Sequence, residues 1–332
     1  MFAMENIDHR IFKKPSAGEF AAIVFVLTIS ISFVVCHTGD FVDFKAYLAR
    51  TKGDFSQYFY GYWLLPFFQI LSWLPFEASY ILWIGLSVLG VWFAARVFNG
   101  NSALALLSYQ MSSVLFWGQI TGILCGLLGL FWWSIHHRRW WMAGIACFLA
   151  AAKPQSGTIF VFLLLLFSNT SFREKIRILI IPMVGFIVSL LFYPGWILEI
   201  LSRRGAVYTA GNISLWQWIG PWAMLLSLPA LVIPATKQQR FLALSAAWVL
   251  SIPYFSLPDL LTLFIFPVEI APILLGYLPG ILMQFFGFES QKAGFVIPLL
   301  ILAMNLLPHF LQSKAAQKKL RLPAAGEQKP NN

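Results

Sequence analysis

Ala17-Gly-Glu-Phe-Ala-Ala-Ile-Val-Phe-Val-Leu-Thr-Ile-Ser-Ile-Ser-Phe-Val-Val-Cys36, followed at once by His37-Thr-Gly-Asp-Phe-Val-Asp-Phe-Lys-Ala-Tyr-Leu-Ala-Arg50, decides the fold. The first part is an apolar run of the length that one helix needs to cross a bilayer. It lacks a small-residue cleavage site, so it reads as a retained anchor rather than a removed leader. The second part begins where the chain leaves the membrane. There Asp40, Asp43 and Tyr47 stand three and four residues apart. If the segment is helical from Asp40 onward, all three share one face. Carboxylates so placed can act as general bases or hold a metal ion; the plain alternative is a solvated loop.

Composition extends that reading to the whole chain. Of 332 residues 59% are hydrophobic and only 11% charged, whereas soluble domains carry about 25% charged residues. Long apolar runs closed by basic clusters indicate helices, not the alternating strands of a membrane barrel. The expected fold is an all-α polytopic helix bundle with nine to eleven crossings. The net charge of +10 does not imply nucleic acid. It concentrates in five short clusters: residues 10–14, Arg138-Arg139, residues 173–177, Lys237 with Arg240, and the tail beyond Gln312. The positive-inside rule places these clusters and both termini in the cytosol. Three scattered cysteines form no CxxC pair and read as small core residues. The pattern Asn212-Ile-Ser214 fits a glycosylation acceptor, a match that is common by chance.

Along the chain, the run 102–135 is interrupted by Trp117-Gly118-Gln119, which suggests a break where polar groups line a cavity. The basic end His136-His-Arg-Arg139 reads as a snorkelling anchor rather than a metal site. Residues 140–167 carry Lys153-Pro154-Gln155 at their middle and are expected to form a helical hairpin with Lys153 at its outer turn. A lysine at that depth is a functional candidate by default. Parity requires that either 58–76 or 102–117 fails to cross. Arg203 and Arg204 lie on the side where the charge rule disfavours them, and a phosphate gripped there would give them a reason to be. Residues 1–311 read as one membrane domain with outer loops at about 37–57 and 195–215, and 312–332 as a basic disordered tail.

Taken in order, several motifs form a set: Asp43-Phe-x-x-Tyr47, Tyr58-Phe-Tyr60 before a proline-bearing stretch, Gly118-Gln119, Ala152-Lys153-Pro154-Gln155 and Asn212-x-Ser214-Leu215. This set resembles the polyprenol-phosphate-mannose-dependent mannosyltransferases of the GT-C superfamily, over about residues 17–260. The resemblance implies a membrane glycosyltransferase that moves a hexose, mannose in the first instance, from a polyprenyl-phosphate donor to a lipid-linked or glycan acceptor. It implies Asp43 as the general base, with Asp40 its nearest competitor, and direct attack that inverts the anomeric centre. Arg203, Arg204 and Lys153 would neutralise the departing phosphate, and Tyr47, Tyr58, Gln119 and Asn212 would line the substrate. The work would be done on the outer face of a bacterial plasma membrane, in the making of envelope glycolipids. Where that family opens its second segment with Tyr-x-Tyr-Pro-Pro, this chain has its proline only at Pro66. No cofactor is indicated, no metal-ligand set is assigned, and a divalent ion stays open. The rival reading from another class is a membrane transporter or lipid flippase, which broken helices with intramembrane polar groups also suit. A non-catalytic scaffold is a second rival.

Overall fold

The computed structural model describes residues 7–54, 58–203 and 211–321. Among these the protein is a bundle of helices without strands, its one β-type pairing an isolated antiparallel bridge between Asn212 and Ser256. A short helix α1 (Ile7–Phe12) leads into α2 (Ala17–Val35), then α3 (Val42–Thr51), α4 (Leu65–Leu71) and α5 (Phe76–Phe98). Next come α6 (Ser102–Leu107), α7 (Tyr109–Trp117), α8 (Thr121–His136), α9 (Trp140–Ala150), α10 (Ile159–Phe167), α11 (Phe172–Phe192) and α12 (Trp196–Arg203). The chain continues through α13 (Trp216–Ile219), α14 (Leu228–Val232), α15 (Lys237–Ser251), α16 (Leu261–Phe264), α17 (Ile270–Leu275), α18 (Leu278–Phe286) and α19 (Val296–Arg321).

Among the described residues four stretches, Ala17–Val35, Phe76–Phe98, Phe172–Phe192 and Glu289–Phe310, are long and apolar enough to cross a membrane alone. The pair α7 and α8 makes a fifth if its 115° bend is taken as one broken span. Shorter apolar segments are interrupted by Gly118, by Lys153-Pro154 and by the prolines of 258–279. Such interruptions survive in a bilayer only where neighbouring protein satisfies the freed backbone groups. Met183, Val184, Ile187, Leu191 and Phe192 of α11 lie exposed, an apolar surface suited to lipid.

One end of the bundle gathers the basic residues. A capping box starts α2, Ser16 N–H donating to Glu19 (2.8 Å) and Glu19 N–H to Ser16 Oγ (3.2 Å). Glu19 also receives the guanidinium of Arg96 from the far end of α5 (2.8 Å), which further donates to the Arg10 carbonyl (2.8 Å). Asp8 accepts from Trp133 (3.0 Å) and pairs with His137 (2.8 Å) at the end of α8. Lys237 reaches Asn169, and His309 reaches Gln239, at the same end.

This arrangement resolves the parity question. The 58–76 stretch starts with Tyr58 against Tyr47 (ring centroids 6.3 Å) and finishes with Phe76 against Phe41 (5.9 Å) and Phe44 (5.8 Å). It therefore leaves and returns at one end and does not cross. The 102–117 stretch runs from Ser102, bonded to Glu19, up to Gln119 at the other end.

The contact between α5 and α8 is made by glycines against backbone and small side chains. A Cβ on Gly122 would meet Ser87 Cβ at 2.6 Å, one on Gly126 would meet Gly90 Cα at 2.7 Å, and one on Gly129 would meet Ala94 Cα at 2.8 Å. Small residues at such spacing let membrane helices approach closely where no hydrophobic force drives them together. In the expected C-terminal tail, α19 continues to Arg321, and residues 322–332 lie outside the described part.

Candidate active site

The first loop turns sharply before its helix begins. Phe41 adopts φ +52°, its N–H donates to the Phe116 carbonyl (3.1 Å), and its ring lies 4.3 Å from that of Tyr80. Helix α3 begins only at Val42, so the three-residue face expected of this stretch is corrected in part. Asp43 and Tyr47, one turn apart inside the helix, share a face; Asp40 precedes the left-handed turn and stands exposed.

Phe44 and Tyr47 are fully buried against Phe68, Tyr80 and Trp83, which seats α3 on the bundle. Gly118 lets it sit that deep. Its φ is +74°, and a Cβ there would meet Phe44 Cβ at 2.6 Å and Tyr80 Cε2 at 3.0 Å. Gly118→Ala is therefore expected to cost about 2 kcal/mol, from the left-handed backbone and the collision together. A thermal melt of the purified protein checks this.

The bend at Gly118 delivers Gln119 to the Asp43 carboxylate, toward which its side chain donates. Asp43 is enclosed by protein yet keeps part of its surface accessible. Burial pushes its carboxyl up to about 6, with Asp259 and Asp40 adding to the rise and Lys153 and Gln119 opposing it.

Lys153 arrives from the second break. Helix α9 stops at Ala150, Pro154 cannot continue it, and a wide π-type turn (Pro154–Thr158) leads into α10. The Ala152 carbonyl accepts from Gly61 N–H (2.9 Å), tying the Tyr58–Gly61 loop to this break and setting the Tyr60 ring 5.7 Å from the Lys153 ammonium. Lys153 is 3% exposed. It donates to Thr121 Oγ1 (3.0 Å), to Gln119 Oε1 (3.3 Å) and to Asp259 Oδ1. An ammonium has three hydrogens, so these partners use them all.

Asp259 is fully buried in the turn between α15 and α16. Its second oxygen accepts from Ser256 (2.9 Å), and Thr121 donates to its first (2.8 Å). Asn212 fixes this turn from across the chain. Its Nδ2 donates to the Pro253 carbonyl (2.9 Å), and its Oδ1 accepts from Ser214 N–H (3.0 Å) and Phe255 N–H (3.1 Å). With its amide buried and bonded, Asn212 braces the fold and offers no exposed group for glycosylation.

Of the residues expected at the site, Asp43, Gln119 and Lys153 come together, with Tyr47 packed beside them. Tyr58 is fully buried, its hydroxyl donating to the Gly61 carbonyl (3.1 Å), so it supports the Tyr60 loop. Arg203 ends α12 with its side chain outside the described part, and Arg204 lies outside it altogether. Asp259, Thr121 and Ser256 were not anticipated as site residues, and Tyr60 was singled out only as part of the Tyr58-Phe-Tyr60 motif. A signal existed for Asp259: a buried lysine needs a counter-ion, and Pro258-Asp259 places an acid between two apolar runs. Among the described residues no three of His, Cys, Asp and Glu gather closely enough to hold a metal ion.

Against this geometry, residues 58–265 match the family model for glycosyltransferase family 87, well over half of the chain. The chain belongs to glycosyltransferase family 87. No curated protein and no solved structure matches it. The matched region of this family 87 glycosyltransferase contains Tyr60, Gln119, Thr121, Lys153 and Asp259; Asp43 precedes it. The enzyme is thus an integral membrane glycosyltransferase whose polar cluster is assembled from three helix breaks and the first loop.

Proposed function

We propose that this enzyme transfers a hexose, mannose in the first instance, from a polyprenyl-phosphate donor to a hydroxyl of a lipid-linked or glycan acceptor, with Asp43 as general base. The observation that carries the reading is Asp43 itself, partly accessible, oriented by Gln119 and held near 6 by burial. A base poised near the working pH is what proton removal in the transition state requires. In the step, the acceptor O–H proton passes to an Asp43 oxygen as the acceptor oxygen attacks the anomeric carbon. The bond from that carbon to the phosphate oxygen breaks, and its electron pair leaves on polyprenyl phosphate. Attack from the opposite side inverts the anomeric centre. Arg203 and Arg204 are proposed to meet the departing phosphate. Lys153 contributes its charge to the site from within its own bonds. The cluster stands at the end of the bundle opposite the basic residues, which favours the non-cytosolic face under the positive-inside rule.

The test is transfer by the purified protein in nanodiscs, supplied with a panel of polyprenyl-phosphate sugars and membrane-lipid acceptors. Transfer from polyprenyl-phosphate mannose with inversion is expected. In a kcat/KM profile the rate is expected to climb about tenfold per pH unit below the Asp43 value of about 6 and to level off above it, because only the ionised carboxylate accepts the proton. Transfer from a nucleotide sugar alone would overturn the donor class. Movement of lipid across vesicles without transfer would favour the transporter reading.

A further inference from the structure

The site contains two carboxylates and one ammonium, and the ammonium is committed to the wrong carboxylate for catalysis. Lys153 bonds directly to Asp259, and its hydrogen-bonded route to Asp43 runs through Gln119, whose oxygen accepts from Lys153 and whose side chain donates toward Asp43. Asp259 is in turn anchored by Ser256 and Thr121, and its turn by the Asn212 clasp. We propose that Asp259 is a positioning residue: it holds the Lys153 ammonium away from Asp43, and so leaves Asp43 a carboxylate able to accept a proton. This rests on the reading of Asp43 as the base.

Among the described residues the alternative partners are few. Asp43 is faced by Lys153, Asp259 and Asp40 and by the phenols of Tyr47, Tyr60 and Tyr80. Lys153 is faced by Asp259, Asp43, Tyr60 and the thiol of Cys125. If Asp259 loses its charge, Asp43 is the carboxylate left to the ammonium. A direct ion pair favours the ionised form of Asp43 and weakens it as a base. The line Ser256, Asp259, Lys153, Gln119, Asp43 also orients the Gln119 amide, whose oxygen is fixed by the lysine and whose nitrogen is thereby turned to the base.

The experiment compares wild type, Asp259→Asn, Asp259→Glu and the double variant Lys153→Met/Asp259→Asn, in nanodiscs, by two readouts. One is the acid limb of the kcat/KM profile. The other is the Asp43 carboxyl band in infrared pH-difference spectra, assigned by its loss in Asp43→Asn. In Asp259→Asn both are expected to move to lower pH by at least about one unit, with kcat reduced at least tenfold. Asp259→Glu, which keeps the negative charge, is expected to hold the Asp43 band closer to its wild-type position than Asp259→Asn does. In the double variant, which removes both charges, the band is expected above its wild-type position; this variant decides the matter if Asp259→Asn does not fold. An unmoved Asp43 band in Asp259→Asn, or in the double variant where Asp259→Asn does not fold, overturns the proposal and leaves Asp43 as base intact. A moved band in a protein whose transfer survives Asp43→Asn overturns the base assignment, and the positioning role with it.

Discussion

Asparagine at position 43 is expected to reduce glycosyl transfer by roughly 10²–10⁴-fold, the range that a positioned general base supplies. The substitution keeps the size of the side chain and its place on α3, whose seat is made by Phe44 and Tyr47 rather than by Asp43. Stability is therefore expected to hold while turnover falls. Sign and place follow from the same fact: Asp43 keeps accessible surface, whereas its neighbours on the buried face do not. Asp40→Asn is expected to have little effect, because Asp40 stands exposed ahead of the left-handed turn at Phe41. Single-turnover transfer in nanodiscs, alongside a thermal melt, separates the two variants. Equal losses at both positions would return the base assignment to the open pair.

The second large effect is on stability. Lys153→Met removes the cation from a cluster that retains a fully buried Asp259 and an enclosed Asp43. Removing one member of a buried ion pair leaves an uncompensated charge and costs about 3–5 kcal/mol. Two carboxylates without their shared ammonium also repel each other. Asp259→Asn is expected to cost less, since the stranded lysine still has Asp43 nearby through Gln119. Removing both charges together is expected to recover much of the loss, because well-packed neutral groups tolerate burial. Thermal melts of the three proteins in one detergent give the ordering, and a Lys153→Met protein as stable as wild type would contradict it.

Much of this was legible in the sequence, and what escaped did so for definite reasons. The first span was expected at 17–36 and is found at Ala17–Val35, because an apolar run of bilayer length has few other ways to fold. The break at Gly118-Gln119 and the importance of Lys153 could also be read, since an amide and an ammonium inside apolar runs demand partners. The partner of Lys153 could not be read from spacing, as Asp259 lies 106 residues away and pairing at that range is set by packing. Asp40 misled because a face read at helical period assumes the helix has begun, and Phe41 delays it. Hydropathy registered 58–76 as apolar but not where it goes. Its destination depends on Tyr47 and Phe41 receiving its two ends.

The glycine seam between α5 and α8 has a mechanical consequence. Where Gly122, Gly126 and Gly129 press on Ser87, Gly90 and Ala94, only small side chains and backbone lie between the two axes, so little can repack and the pair resists relative motion. Thr121 starts α8, and Gln119 lies just ahead of it. That side of the polar cluster is therefore carried on the close-packed helix pair, whereas α3 rests on a bed of large aromatic rings and α12 on Tyr62.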